Sequence, residues 1–264
     1  MKDLKLAYIQ TSLVWEDKPA NYSRFDEYFE AIGKGTDLIV LPEMFNTGFS
    51  INPALCAETM DGSGVKYIRQ KSKKFKTVVI ASLMITEKGK LLNRLMAARP
   101  DGSMEIYDKR HLFRLSEEYK IFTGGSQRLV MDINGWKVRP LICYDLRFPV
   151  WSKNTFSNGA YEFDLLLYVA NWPSVRSKVW TTLLAARAME NQVFCAGVNR
   201  VGTDGNGAKH SGDSAVFDPK GNILSTVPAN EEGVAIVNLP GSELELVRSS
   251  FTVGMDWDSF RIKT

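Results

Sequence analysis

The stretch "VRPLICYDLRFPVW", residues 138–151, carries the reading of the whole chain. It opens as a short apolar run, interrupted by Arg139, that reads as a strand. It then breaks abruptly into charge and aromatics. In α/β folds such strand ends are where sites are built, and Cys143 stands on the boundary. Its thiol is either one more buried core cysteine, a common fate for the residue type, or a nucleophile.

Outward from it, apolar runs alternate with amphipathic ones. "LKLAYIQT" (4–11), "DLIVLPE" (37–43) and "TVVIASLMI" (77–85) read as strands. "ANYSRFDEYFEAIGKG" (20–35), stopping at glycine, and "SGVKYIRQKSKKF" (63–75) carry helical spacing. Segments 91–112 and 127–145 each read as a pair of strands, turning at "PDGS" and at "NG". A strand over 163–171, a helix over 178–192 and strands over 193–200, 214–225 and 232–240 complete the pattern. Helix–strand units between extended hairpins predict an α/β protein with two stacked sheets and outer helices. No G-x-G-x-x-G follows the first strand and no Walker sequence is present, which argues against dinucleotide and P-loop nucleotide binding.

Composition narrows the classes further. The chain has 264 residues, 44% hydrophobic and 24% charged, with no linker or low-complexity tract, so one domain over 1–264 is expected. The net charge of +3 is mild, Lys-rich pieces such as "KSKKFK" (71–76) are scattered among acidic ones and no aromatic-interleaved basic stripe appears, which fits a solvated helix end and no nucleic-acid partner. The N-terminus has no apolar signal segment, and "LLLYVANW" (165–172) is far shorter than the roughly 20 residues a bilayer demands, so no membrane partner is expected. Three cysteines, at 56, 143 and 195, form neither a disulfide framework nor a Cys-rich zinc site, and they suit a reducing, cytoplasmic setting. Only two histidines are present, His111 and His210, so no metal site is expected.

A nucleophilic thiol needs a group to take its proton. Either histidine could meet Cys143 in space, but no local pattern selects one. Glu43 is an alternative base: it ends "DLIVLPE" and leads into "MFNTGF", and an apolar pocket would raise its pKa toward neutrality. Lys109, in "EIYDKRHLF", stands at a third strand end, either as a surface lysine or as a cation facing a developing oxyanion. Cys195, inside "VFCAG", reads as core.

Three of these segments resemble, in order, the motifs of the nitrilase superfamily of carbon–nitrogen hydrolases: "LPEMFNTGF", "YDKRHLF" and "LICYDLRFP". "NWP" (171–173), "ARAMENQVFCAGVNRVG" (186–202) and "DGNGAKHSGDSAVFDPKGN" (204–222) are similar to the same family, so the resemblance spans nearly the whole chain. It implies a four-layer α-β-β-α sandwich and a Glu43–Lys109–Cys143 triad with no cofactor. It also implies a second glutamate in "HLFRLSEEYKIFTGG", best matched by Glu118 with Glu117 adjacent. The backbone N–H of Tyr144 is implied beside Lys109 at the oxyanion.

"HLFRLSEEYKIFTGG" and "NWPSVRSKVW" resemble most the bacterial omega-amidase branch. That implies a thioester route on the terminal amide of short 2-oxo dicarboxylic acid monoamides, 2-oxoglutaramate and 2-oxosuccinamate. Deaminated glutathione and N-carbamoyl amines are alternative substrates for the same triad. A nitrile-hydrolysing member would carry Trp-Glu where this chain has Tyr144 and Asp145, and a non-enzymatic scaffold would be expected to lose a triad member. Met44, Phe45, Tyr144 and Trp172 are expected around the pocket. Arg147, Asn171 and Arg176 are candidates to meet a substrate carboxylate, with an Arg147 ion pair to Asp145 or Glu190 as the structural alternative. The family also implies a homodimer, for which the helix over 178–192 is an interface helix or a core one and the segment of about 240–264 is a candidate to cross to the partner.

Overall fold

The computed structural model describes residues 1–263. The chain runs β1 (Leu4–Gln10), α1 (Lys18–Ile32), β2 (Leu38–Val40), α2 (Pro53–Cys56), α3 (Ser63–Phe75), β3 (Val78–Glu87), β4 (Lys90–Ala98) and β5 (Met104–Asp108). A second series follows: α4 (Glu118–Ile121), β6 (Met131–Ile133), β7 (Trp136–Ile142), α5 (Pro149–Ser152), β8 (Phe156–Ser157), β9 (Ala160–Tyr161), β10 (Leu165–Ala170), α6 (Ser177–Asn191) and β11 (Phe194–Asn199). The chain closes with β12 (Val201–Thr203), β13 (Lys209–Ser211), β14 (Ala215–Phe217), β15 (Ile223–Thr226), β16 (Gly233–Leu239) and α7 (Gly241–Ser250).

Two six-stranded sheets result, in the orders β16-β1-β2-β3-β4-β5 and β15-β14-β11-β10-β7-β6. Strand alternation sorts the first sheet's side chains into two layers. Leu4, Leu6, Tyr8, Leu38, Val40, Val78 and Ile80 join the core that also holds the second sheet. Their neighbours Ala7, Ile9, Ile39, Val79 and Ala81 point the other way, onto Phe25 and Phe29 of α1 and Val65 and Ile68 of α3. On the second sheet Leu165–Ala170 is fully buried along its length, because α6 covers its outer face with Trp180, Leu184 and Ala188. The architecture is therefore a four-layer α-β-β-α sandwich.

Local chemistry explains the boundaries. Asp17 caps α1 by accepting from the Ala20 N–H at 3.0 Å, and Gly33, at φ 68°, ends it. The β6–β7 hairpin turns at Asn134 and Gly135, both with positive φ (52° and 87°), as a two-residue turn of that sequence requires. The segment 214–225 is a hairpin, reversing through Asp218–Gly221 between β14 and β15.

The C-terminal part lies against its own chain. Arg248 of α7 pairs with Asp164 at 2.6 Å and donates to the Phe163 carbonyl, and Trp257 covers the Lys153 ammonium at 3.5 Å. That places α7 at the edge where β10 begins, opposite the edge where the site is built. Among the described residues no helix is long and apolar enough to cross a membrane.

Candidate active site

β2, β5 and β7 all end at one edge of the sandwich. Pro42 and Glu43 follow β2, Lys109 follows β5, and Cys143 follows β7 as the first residue of a 3₁₀ turn over Cys143–Arg147. Two of these exits are sharp: Met44 and Cys143 take left-handed backbone conformations, with φ of 49° and 43°. Such angles are uncommon for non-glycine residues other than asparagine and aspartate, and Met44 and Cys143 are neither.

The exits converge on one ammonium. Lys109 Nζ donates to Glu43 Oε1 at 3.0 Å and to the two oxygens of Glu118 at 3.1 and 3.0 Å. It also sits 5.1 Å from the centre of the Phe49 ring. Glu43 is completed by the Asn93 amide at 2.8 Å and the Asn171 N–H at 2.8 Å, while Glu118 takes the Phe113 N–H at 2.6 Å. Glu43, Lys109, Glu118 and Asn93 are buried, and Cys143 is partly open.

Burial alone would depress the Lys109 pKa, but Glu118 and Glu43 outweigh it and hold the ammonium above the ordinary lysine range. Burial raises Glu118, with Lys109 opposing. Burial, reinforced by Glu43 and opposed by Lys109, holds the Cys143 thiol well above its ordinary value. The Cys143 thiol thus rests protonated beside Glu43, and an attack by it would need a base.

Above the cluster lies a cavity of about 420 Å³. Its walls include Phe49, Ile51, Phe113, Leu115, Tyr144, Arg147, Asn171, Trp172, Arg176 and His210. Arg147 lies 5.3 Å from the Trp172 ring and Arg176 lies 5.6 Å from the Phe113 ring.

The model of the carbon–nitrogen hydrolase family matches residues 5–249. The chain belongs to the carbon–nitrogen hydrolase family. Omega-amidase YafV of Escherichia coli K12 is 41% identical, over 99% of this chain and 100% of that one. The 2-oxoglutaramate amidase of Bacillus subtilis is 30% identical over 94% and 95%. Among solved structures, XC1258 of Xanthomonas campestris, a CN-hydrolase superfamily protein with an arsenic adduct in its active site, superposes with a TM-score of 0.97 at 40% identity, each chain covered in full. This carbon–nitrogen hydrolase is accordingly a cysteine-dependent amidase with the sandwich of the nitrilase superfamily.

Two expected pocket residues do not line the hydrolase's cavity. The left-handed turn after Glu43 sends Met44 into a separate cluster with Cys56, Met84 and Phe122. Phe45 enters the outer core, edge-on to Phe25 at 5.4 Å and stacked on Tyr67 at 5.8 Å. Both are fully buried packing residues. Tyr144, Arg147, Asn171, Trp172 and Arg176 do line it.

Of the adjacent glutamates, Glu118 turns in to Lys109, while Glu117, itself at φ 61°, directs its carboxylate to Lys120 at the surface. Arg147 forms neither ion pair considered from sequence, since Glu190 is held by Arg187 at 2.8 Å and Asp145 by other donors. His111 faces Asp145 at 2.8 Å. His210 lines the cavity as a neutral ring, its pKa pushed down to about 4 by burial and by Arg200.

Asn93 escaped the sequence reading. Its signal is a polar residue within the strand "LLNRLMAA", 1% exposed in β4, where only a hydrogen-bonding duty justifies burying an amide. The space between the two carboxylates is filled by the Lys109 ammonium, and among the described residues no three His, Cys, Asp or Glu side chains are grouped to hold a metal ion.

Proposed function

We propose that the enzyme is an omega-amidase that hydrolyses the terminal amide of short 2-oxo dicarboxylic acid monoamides, 2-oxoglutaramate and 2-oxosuccinamate, to the diacid and ammonia. The observation that carries this reading is the pairing of a small cavity with two guanidiniums. Arg147 and Arg176 stand in its walls over aromatic rings, and the Glu43–Lys109–Glu118 cluster lies below. A molecule with a carboxylate at one end and an amide at the other matches that polarity. The names of the two amidase relatives point the same way.

In the proposed reaction Cys143 Sγ attacks the amide carbon while Glu43 takes the thiol proton. The carbonyl electron pair moves to oxygen, where Lys109 Nζ and the Tyr144 N–H stabilise it. A well-aimed donor at this position is worth about 2.7–4 kcal/mol. Lys109 is already fixed by its carboxylate contacts, so little reorganisation is required. As the tetrahedral centre collapses, the C–N bond breaks and Glu43 returns the proton to nitrogen. Ammonia leaves and a thioester remains. Water, deprotonated by Glu43, attacks the thioester carbon, the C–S bond breaks, and thiol and diacid are restored. Glu118 keeps Lys109 in place throughout.

The test is ammonia release from the two keto-amides, with Cys143→Ala as the blank and deaminated glutathione and N-carbamoylputrescine as competing substrates. Rapid turnover of the short keto-amides alone supports the reading. Turnover only of a longer amide or a carbamoyl compound overturns the substrate and leaves the triad. Three free cysteines make the cytoplasm the proposed setting. A homodimer is proposed across the face where Met189, Phe251 and Met255 are exposed, and light scattering at a monomer mass would refute it.

A further inference from the structure

The catalytic groups are divided between the two sheets. Glu43, Asn93 and Lys109 come from β2, β4 and β5 of the first, Cys143 and Asn171 from β7 and β10 of the second. An amide carbon can be met by Sγ while its oxygen meets Nζ only if the sheets hold register at this edge. Among the polar bonds that cross between the sheets, two sets adjoin the catalytic groups. One is Asn171, whose N–H and side-chain amide both donate to Glu43. The other runs through Asp145, two residues after the nucleophile.

Asp145 is fully buried, and donors reach its carboxylate from both sheets. From the second sheet it accepts the Ile142 N–H at 3.1 Å, which closes the turn that holds Cys143 at φ 43°. From the first it accepts the Tyr107 hydroxyl at 2.7 Å, the His111 N–H at 3.0 Å and the His111 ring Nδ1–H at 2.8 Å. Tyr107 and His111 bracket Lys109, two residues to either side. Both are fixed in turn: the Tyr107 oxygen accepts from Trp151 Nε1 at 2.9 Å, and the His111 ring stacks on Phe148 at 3.6 Å. A carboxylate needed only for stability could be satisfied by donors of one sheet. This one joins the backbone just before the nucleophile to the Tyr107 side chain and the His111 backbone, one on either side of the cation.

We infer that Asp145 is a positioning residue: with Tyr107 and His111 it sets the distance between Cys143 Sγ and Lys109 Nζ across the two sheets. This rests on the amidase reading above. Its loss acts on the chemical step and leaves binding in place, since none of the three lines the cavity.

The test compares Asp145→Asn and Tyr107→Phe with Tyr168→Phe, which deletes a buried hydroxyl bonded to Ser152 at 2.8 Å and not to Asp145. For each, kcat and KM on the keto-amide, the rate of Cys143 alkylation by iodoacetamide, and Tm are measured. Misplacement by about 1 Å can remove roughly 100-fold in rate. We expect kcat to fall about 100-fold in Asp145→Asn and about tenfold in Tyr107→Phe, with KM within about twofold and alkylation slowed in the same order. Tyr168→Phe should lose comparable Tm and keep both rates. The inference is overturned if Tyr107→Phe loses no more kcat and alkylation rate than Tyr168→Phe, or if its loss lies in KM. Should Asp145→Asn not fold, Tyr107→Phe decides. Should the keto-amides prove not to be substrates, the substrate reading fails and the alkylation rates still decide the positioning.

Discussion

Replacing Lys109 by methionine keeps an unbranched side chain, one atom shorter, and removes its charge. In the wild type that charge sits 3.0 to 3.1 Å from Glu43 and both oxygens of Glu118, all of them buried. Deleting one partner of a buried ion pair costs about 3–5 kcal/mol. The pH dependence follows from Glu118, whose pKa is already raised by burial with Lys109 as the principal opposing influence. Without Lys109 it rises further. A carboxyl whose folded pKa exceeds its unfolded value binds a proton on folding, so the variant is most stable at acid pH. It loses stability as pH climbs from the unfolded pKa of about 4.3 toward the folded one, by about 1.36 kcal/mol per unit of separation. At about 2–4 °C per kcal/mol for a chain of this size, Tm at pH 8 should fall by roughly 6–20 °C. At pH 5 the gap from wild type should be visibly smaller. Loss of the proposed oxyanion donor should also lower kcat by about 10²–10³ or more. Calorimetry at the two pH values and steady-state ammonia release are the assays. A Tm within about 2 °C of wild type at pH 8, or a kcat within about tenfold, would refute the electrostatic account.

Arg147→Gln should raise KM for the keto-amide about tenfold or more and leave kcat nearly unchanged, as removal of uniform binding does; steady-state kinetics separates the two. Because Cys143 is held well above its ordinary pKa, its alkylation by iodoacetamide should still be accelerating at pH 9, and a plateau near pH 7 would show a preformed thiolate. Phe45→Ala should destabilise by about 3–5 kcal/mol in denaturant titration without changing KM, since the ring packs among Tyr22, Phe25 and Tyr67.

What the sequence disclosed is what local chemistry controls. Apolar runs ending in Glu43, Lys109 and Cys143 placed three reactive groups at strand ends, and the "NG" of Asn134–Gly135 placed a hairpin. What it concealed depends on chain reversals and on distant partners. Met44 and Phe45 follow Glu43 directly, so proximity alone put them in the pocket, yet one left-handed residue at Met44 turned both away. Asn93 and Asp145 act across 50 and 38 positions of chain, on Glu43 and Tyr107, and no periodicity reports such a bond. The choice between Glu117 and Glu118 rested on a second left-handed residue, Glu117 itself, inside a short irregular segment with no helical pattern. His111, open as a partner for the thiol, is committed to Asp145.

In the proposed reaction Cys143 carries the acyl group of a short 2-oxo acid amide. Rapid mixing of the enzyme with 2-oxoglutaramate, acid quenching and intact-mass measurement would test it most directly. A single acyl adduct is expected, located on the peptide containing Cys143 and absent from Cys143→Ala, with ammonia released in the same burst. Ammonia released at full rate by Cys143→Ala, or an adduct on another residue, would contradict it.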